Sequence, residues 1–440
     1  MKCLAVLSLI TVFVLPSFAQ NSFKFESGKS KTVIPFELIN NLIFIPVHVN
    51  GVKLNFMLDS GIEETILFSL DDSDDISFEN VQSIRLRGLG NKDYVQGLKS
   101  SNNKLELPGL FAEDHVIYII LEQDFNFSSN IGIPVNGIIG HHFFKDYFVE
   151  INYDRKKIIV YKDARKIQKR IKRQFTAIPI SLELQKPYLM TQIIQQRDTV
   201  NAKLLIDTGS SDALWIFRQQ SDLISLPESN FDDFLGRGFS GDINGKRARI
   251  PKFRIKDFEF DDLLAAFPDS VSISNIKMVD NRVGSVGGEI LRRFKIVFDY
   301  KTGFLYLKKG THFDDPFNYN MSGIELRHDG LQWVKETVQL STSQIVSSYD
   351  IKSDQARSFK YKFALKPVYS IFAIRPGSPA ELAGLQVGDI LLSINNTNAY
   401  RYSLQQINSL LKSEEGKMIE IRVERENKVL DFKFQLQRIL

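Results

Sequence analysis

Asn55-Phe-Met-Leu-Asp-Ser-Gly61 and Lys203-Leu-Leu-Ile-Asp-Thr-Gly209 decide how this chain reads. Each is a run of large residues ending in Asp-[Ser/Thr]-Gly, and that tripeptide occurs nowhere else in the 440 residues. The two aspartates lie 148 residues apart. A single Asp-Ser-Gly or Asp-Thr-Gly also makes an ordinary turn, so one copy would carry little. Two copies in matching contexts describe two halves of one site, each giving one carboxylate.

A second shared pattern follows each motif after about 80 residues, which marks an internal duplication. The first half reads Gly137-Ile-Ile-Gly-His-His-Phe-Phe-Lys-Asp-Tyr-Phe-Val-Glu-Ile-Asn-Tyr-Asp154. The second reads Gly284-Ser-Val-Gly-Gly-Glu-Ile-Leu-Arg-Arg-Phe-Lys-Ile-Val-Phe-Asp-Tyr-Lys301. Their offset is 147, nearly that of the aspartates. A weaker echo lies between, Arg87-Gly-Leu-Gly90 and Arg237-Gly-Phe-Ser-Gly241.

On these residues the segment 30–310 resembles the retropepsin-like and pepsin-like aspartic proteases, as two fused lobes. In that family the segment around Ile138-Ile-Gly-His-His-Phe-Phe144, and its partner Ser285-Val-Gly-Gly-Glu-Ile-Leu291, forms a psi-shaped loop beside the catalytic turn. The resemblance implies a mainly β, bilobal acid-protease fold with Asp59 and Asp207 as a catalytic dyad. It also implies that the Ser60 and Thr208 hydroxyls bridge the lobes, and that Ser210 bonds the outer oxygen of Asp207.

The chemistry accounts for the motif. Two carboxylates held about 3 Å apart cannot both ionise, so the pair shares a proton. The ionised member can act as general base on a water while the protonated one polarises the scissile carbonyl. That reaction calls for no metal, cofactor or covalent intermediate. Gly61 and Gly209 let the chain turn tightly. The first motif continues Ile62-Glu63-Glu64, with no hydroxyl where the second has Ser210. Hydrogen bonding lowers a carboxylate pKa, so Asp207 is the expected acidic member and Asp59 the basic one. The Gly-rich echoes supply flap candidates: Gly88, Gly90 and Tyr94 in the first half, Gly238 in the second. An exposed loop accounts for them equally well.

Composition agrees with a folded, sheet-rich chain. Hydrophobic residues make up 43%, charged residues 25%, and there are 34 Phe and 14 Tyr. A net charge of +4 gives no global argument for nucleic acid. Lys2 precedes the apolar stretch Leu4–Leu15, and Ser17-Phe-Ala19 offers small residues for a cut after Ala19, as in a secretory signal peptide. The mature chain is therefore expected to be exported to the periplasm or outside the cell, with no membrane span. Cys3 is the only cysteine, so no disulfide is expected after the cut. Lys162–Arg173 carries seven basic residues and reads as a solvated linker with room for one helical turn, contact with an anionic surface or with substrate being the alternative. His141-His142 reads as a strand pair facing opposite ways, without a third metal ligand. Asp71–Asp75 reads as a solvated acidic loop, and Trp215 and Phe217 as lobe core.

The C-terminal hundred residues resemble a bacterial PDZ domain. Arg375-Pro-Gly-Ser-Pro-Ala-Glu-Leu-Ala-Gly-Leu-Gln-Val-Gly-Asp-Ile-Leu-Leu-Ser-Ile-Asn395 gives the turn, short helix and Gly-Asp strand of that fold. A helix over 404–411 and two strands follow. Such domains add a peptide as an extra strand and hold its C-terminal carboxylate on backbone N–H groups. Gly323, Ile324 and Leu326 are the candidate peptide-binding residues, set apart from the core by an atypical insertion over roughly 331–362.

The expected organisation is a signal peptide (1–19), protease lobe one (20–161), a basic linker (162–174), lobe two (175–312), and a linker with a small α+β PDZ domain (313–440, core about 363–440). The combination looks like the bacterial envelope aspartyl proteases with a C-terminal PDZ module. The expected activity is an aspartic endopeptidase acting on extended or unfolded polypeptides. A degenerate protease fold serving as a peptide-binding envelope adaptor is the alternative.

Overall fold

The computed structural model describes residues 22–68, 76–90, 94–121, 127–195, 198–220, 223–238, 240–274, 277–338 and 360–440. The apolar leader and the acidic run Asp71–Asp75 lie outside the described residues. What is described is mainly β, with a C-terminal PDZ-type module, and its strands form three sheets. No helix among the described residues is long and apolar enough to cross a membrane.

Both halves build the same unit. Asn50 and Gly51 have φ of 48° and 91°, and this left-handed pair makes a two-residue turn with Val49 opposite Val52. The turn feeds the strand Val52–Leu58, which ends at Asp59. Gly137–Ile139 then slots in parallel to Val52–Leu58 and antiparallel to Thr65–Leu67, giving the psi arrangement. In the second half, Arg282–Val286 runs parallel to Asp198–Ile206 and antiparallel to Leu214–Ile216. The echoed segments beyond also find each other. Phe148–Asn152 pairs antiparallel with Phe294–Asp299, Ile151 facing Ile296, so strands of both halves share one sheet. This pairing is compatible with two lobes related by the duplication.

Two local expectations change. The basic stretch is a ten-residue helix, Arg165–Gln174, because Ile167 and Ile171 fall one turn apart and are both buried against Ile159, Tyr161 and Val297. Its Arg170 also pairs with the buried Glu150. His141 and His142 begin a short helix, His141–Phe144, instead of continuing a strand. The strand has to stop at Gly140, where an added Cβ would sit 2.4 Å from the Ile62 carbonyl oxygen.

The PDZ-type sheet contains Ile324–Val338, Lys360–Ile374, Ile390–Ile394, Met418–Arg425 and Lys428–Gln435. The helix Leu404–Leu411 starts with a reciprocal capping box between Ser403 and Gln406 and buries Leu404, Ile407 and Leu411. This module is seated on the second half. Phe372 meets Phe234 edge to face at 5.0 Å, and the Arg375 guanidinium lies 3.6 Å from Asp233 and over the Phe231 ring.

Candidate active site

The two Asp-[Ser/Thr]-Gly turns meet and lock by crossed hydrogen bonds. The Ser60 hydroxyl donates to the Ile206 carbonyl (2.7 Å) and accepts from the Thr208 N–H (3.1 Å). The Thr208 hydroxyl donates to the Leu58 carbonyl (2.9 Å) and accepts from the Ser60 N–H (2.9 Å). All four bonds are buried, and both turns leave no choice of spacing. The Asp59 N–H donates to the Ile139 carbonyl and the Asp207 N–H to that of Val286, both at 3.0 Å, so each psi strand fixes its aspartate. Gly61 N–H donates to the Asp59 carboxylate at 2.6 Å, and Gly209 N–H to that of Asp207 at 3.0 Å.

The Asp59 and Asp207 carboxylates face each other closely enough to share a hydrogen bond. The glycines make that approach possible. A Cβ on Gly209 would fall 2.3 Å from the Asp59 carboxylate, and one on Gly61 2.9 Å from that of Asp207. Asp59 is buried, and burial followed by the nearby charge of Asp207 pushes it up to about 8. Asp207 is raised by burial too, but Arg282, the Gly209 N–H, the bond from Asp59 and Lys186 all pull it back. Both carboxyls are raised by burial, and Arg282 opposes that rise at Asp207.

The sequence expectation for Asp207 rested on the Ser210 hydroxyl. Among the described residues no hydrogen bond joins the Ser210 hydroxyl to Asp207. Ser210 instead uses its carbonyl to accept from Gly288 N–H (2.7 Å), as the Ile62 carbonyl accepts from His141 N–H (3.0 Å). The asymmetry comes from Arg282, which sequence reasoning missed. Its side chain is buried, donates to the Gly284 carbonyl and the Ser285 hydroxyl (3.1 Å each), and lies over Phe217. It also faces Tyr188. The offset of 147 places Val135 where the second half has Arg282, and strand register places Phe44, opposite Met57, where it has Tyr188, opposite Leu205; both first-half residues are apolar and buried. A charged residue in a repeat slot that is otherwise apolar was the available signal.

Glu63 and Glu64 follow the first motif where the second has Ser211 and Asp212. Glu63 accepts from the Gln185 side chain, at the tip of a hairpin from the opposite half. The reciprocal contact exists as well. Asn41, at a hairpin tip of the first half, donates to the Ser211 carbonyl (2.9 Å) and to Glu289 (2.8 Å). Each hairpin tip thus braces the loop that follows the other half's Asp-[Ser/Thr]-Gly turn.

The Gly-rich echoes also meet. Gly90 bridges Ser240, Ser240 N–H donates to the Leu89 carbonyl (2.8 Å), and Gly88 N–H reaches the Ser240 hydroxyl (3.3 Å). A Cβ on Gly90 would lie 2.2 Å from Ser240, and one on Gly238 2.2 Å from the Leu89 oxygen, so both positions need glycine. Leu89 packs against the cluster of Trp215, Phe217, Leu235 and Ile243, which places those two aromatics in the core as read. Tyr94 does not join this contact. It is exposed and stacks under Arg85 of its own hairpin, while residues 91–93 lie outside the described residues.

Behind the Asp207 turn, Arg247 bridges Asp212 (2.8 Å) and Asp233 (2.6 Å), and the Trp215 indole donates to Asp212 (2.7 Å). Since Asp233 also faces Arg375, this chain of charges runs from the loop after the Asp207 turn to the PDZ-type module. In that module Leu326 is buried, and the Gly323 and Ile324 N–H groups are taken by Asn320 and Ser322 side chains. Among the described residues no group of three or more His, Cys, Asp or Glu is placed to hold a metal ion.

Comparison with known proteins yields two findings. Residues 371–425 match the PDZ domain family, so the C-terminal module contains a PDZ domain. A retrovirus-related Pol polyprotein from transposon 412 of Drosophila melanogaster is 28% identical over 139 residues, covering 31% of this chain and 10% of that polyprotein. The chain thus spans about a tenth of the length of that curated relative.

Proposed function

We propose that this chain is an exported aspartic endopeptidase of the retropepsin/pepsin type, acting in the cell envelope on extended or unfolded polypeptides. The observation that carries the reading is the crossed pair of Ser60 and Thr208 hydrogen bonds, which holds the Asp59 and Asp207 carboxylates against one another. The similarity to a retrovirus-related Pol polyprotein is consistent with it.

Asp207, kept ionised by Arg282, takes a proton from a water as that water attacks the scissile carbonyl carbon. Asp59 gives its proton to the carbonyl oxygen, forming a neutral tetrahedral diol. Collapse of the diol breaks the C–N bond; the amine leaves with the proton held by Asp207, and Asp59 recovers one from the diol. The paired Gly-rich loops act as flaps that must part for substrate to enter.

The test is cleavage of an unfolded protein across pH ~3 to 8, the range in which such dyads titrate. Wild type is expected to cut, while Asp59→Asn and Asp207→Asn are expected to be inert. Activity surviving in either variant rules out the dyad. A folded wild type inert at every pH makes the chain a peptide-binding scaffold instead.

A further inference from the structure

A PDZ-type groove lies between an edge strand and a helix, here Ile324–Val338 and Leu404–Leu411. Among the described residues, Ile324–Val338 ends its sheet and pairs along one side only, with Lys360–Ile374. Its other side is the one a peptide would join. Two observations show that side to be in use already.

The first is the carboxylate loop. Ser322 and Gly323 N–H groups both donate to the Asn320 side-chain oxygen (3.1 and 3.3 Å), and Ile324 N–H donates to the Ser322 hydroxyl (3.2 Å). The N–H donors that would hold a terminal carboxylate are satisfied by the loop's own side chains. Asn320 is held in turn, since its amide nitrogen donates to the Ile324 carbonyl (2.6 Å).

The second is the occupant. The first-half helix Phe127–Ile131 packs along Ile324–Val338. Gly132, the next residue, abuts Leu404 at the start of the PDZ helix, and a Cβ there would come 2.9 Å from the Leu404 Cβ. Gly132 has φ of +82°, and its N–H closes the helix on the Ser128 carbonyl at 2.8 Å. A glycine both ends the helix and allows the approach. The helix belongs to the first half, where Phe127 packs on Phe68 and Ile131 is buried. The PDZ module meanwhile is fastened to the second half by Arg375–Asp233 and Phe372–Phe234.

We propose that the PDZ module is a clasp across the two lobes, with helix Phe127–Ile131 as the resident ligand of its groove. An external extended peptide enters only by expelling that helix, and so unfastens the first lobe from the module that the second lobe carries. Groove occupancy and lobe fastening become one coupled equilibrium, in which each shifts the other by the same factor. The inference stands on packing and does not depend on the proteolytic reading.

The test mutates one body and reads the other, by amide hydrogen exchange on the full chain. Gly132→Leu drives a side chain into Leu404, and at least tenfold faster exchange is expected over 404–411. Leu404→Asn, made from the PDZ side, is expected to speed exchange over 127–135 by a similar factor. In both variants the shared-sheet strands 148–152 and 294–299 keep wild-type protection. If either variant alters exchange only within its own body, or the shared-sheet strands lose protection too, the clasp is wrong.

Discussion

Replacing Arg282 with methionine removes the main charge that separates the two aspartates electrostatically while keeping an unbranched side chain in the buried slot. Arg282 is the largest influence opposing burial at Asp207, and it has no charged counterpart in the first half, where Val135 stands. An opposite charge within about 4–6 Å lowers a carboxylate pKa by roughly 1–3 units. Lys186 still faces the dyad in the variant, so the lower part of that range applies, about 1–2 units. The active dyad carries one proton. Its acid limb is loss of activity as Asp207 protonates, and its alkaline limb is loss as Asp59 gives up its proton near 8. Without Arg282, the acid limb of kcat/KM should move up by about 1–2 pH units, and the alkaline limb should move less. At pH 4 the variant should therefore lose about tenfold or more, with a smaller deficit at pH 7. Arg282→Lys, which retains the charge, should recover most of the acid limb. An unchanged acid limb in a folded Arg282→Met protein would refute the assignment of Asp207 as the ionised base.

The same proton has a stability signature. A carboxyl with a raised folded pKa contributes stability that is full below its unfolded value and lost as pH rises toward about 8, so wild type should lose up to about 1.4 kcal/mol per pH unit between roughly 5 and 8. Asp59→Asn should flatten that slope and be the more stable form at pH 8, read by urea unfolding at each pH. Gly209→Ala should cost more stability than Gly61→Ala, because its Cβ meets the Asp59 carboxylate at 2.3 Å against 2.9 Å at the other site. Thr208→Val strands the Ser60 N–H and the Leu58 carbonyl, a loss of about 2–4 kcal/mol by urea titration that Thr208→Ser should largely avoid. Arg247→Met leaves half-buried Asp212 with only the Trp215 indole and Asp233 with only Arg375 at 3.6 Å, and should lower stability by about 3 kcal/mol.

What could be read from sequence was what the backbone demands. Asp-Ser-Gly61, Asp-Thr-Gly209 and the psi segments are fixed by turns and close approaches that admit few residue types, so the pattern survives in one dimension. Asn50-Gly51 was legible for the same reason. Side-chain contacts between the halves were not. Nothing local in Asn41, Gln185 or Lys186 says that a hairpin tip reaches the opposite catalytic loop. Tyr94 was assigned to the flap contact by proximity to glycines, yet the loops meet through Leu89, which is the residue with apolar surface to bury. The PDZ loop was read as a ligand site because Gly323-Ile-Glu-Leu326 fits the spacing, but Asn320, just outside that window, takes the donors.

The duplication itself sharpens the last step. Two halves with the same turns, the same psi pairing and the same crossed hydrogen bonds would hold two equivalent carboxylates, and a shared proton would have no preferred seat. Within this hydrogen-bond frame the halves differ where Phe44 and Val135 are replaced by Tyr188 and Arg282. Those substitutions lie behind the dyad and leave the geometry of the turns untouched. On the proposed reading the motif therefore makes the pair, and the buried cation beside it decides which member would be the base. Exchanging the pairs, with Val135→Arg and Phe44→Tyr added to Arg282→Met and Tyr188→Phe, should move the ionised seat to Asp59. In that protein the stability slope with pH should be flattened by Asp207→Asn and left in place by Asp59→Asn, the reverse of the prediction for wild type. A slope still removed by Asp59→Asn would mean that something other than the Tyr–Arg pair seats the proton.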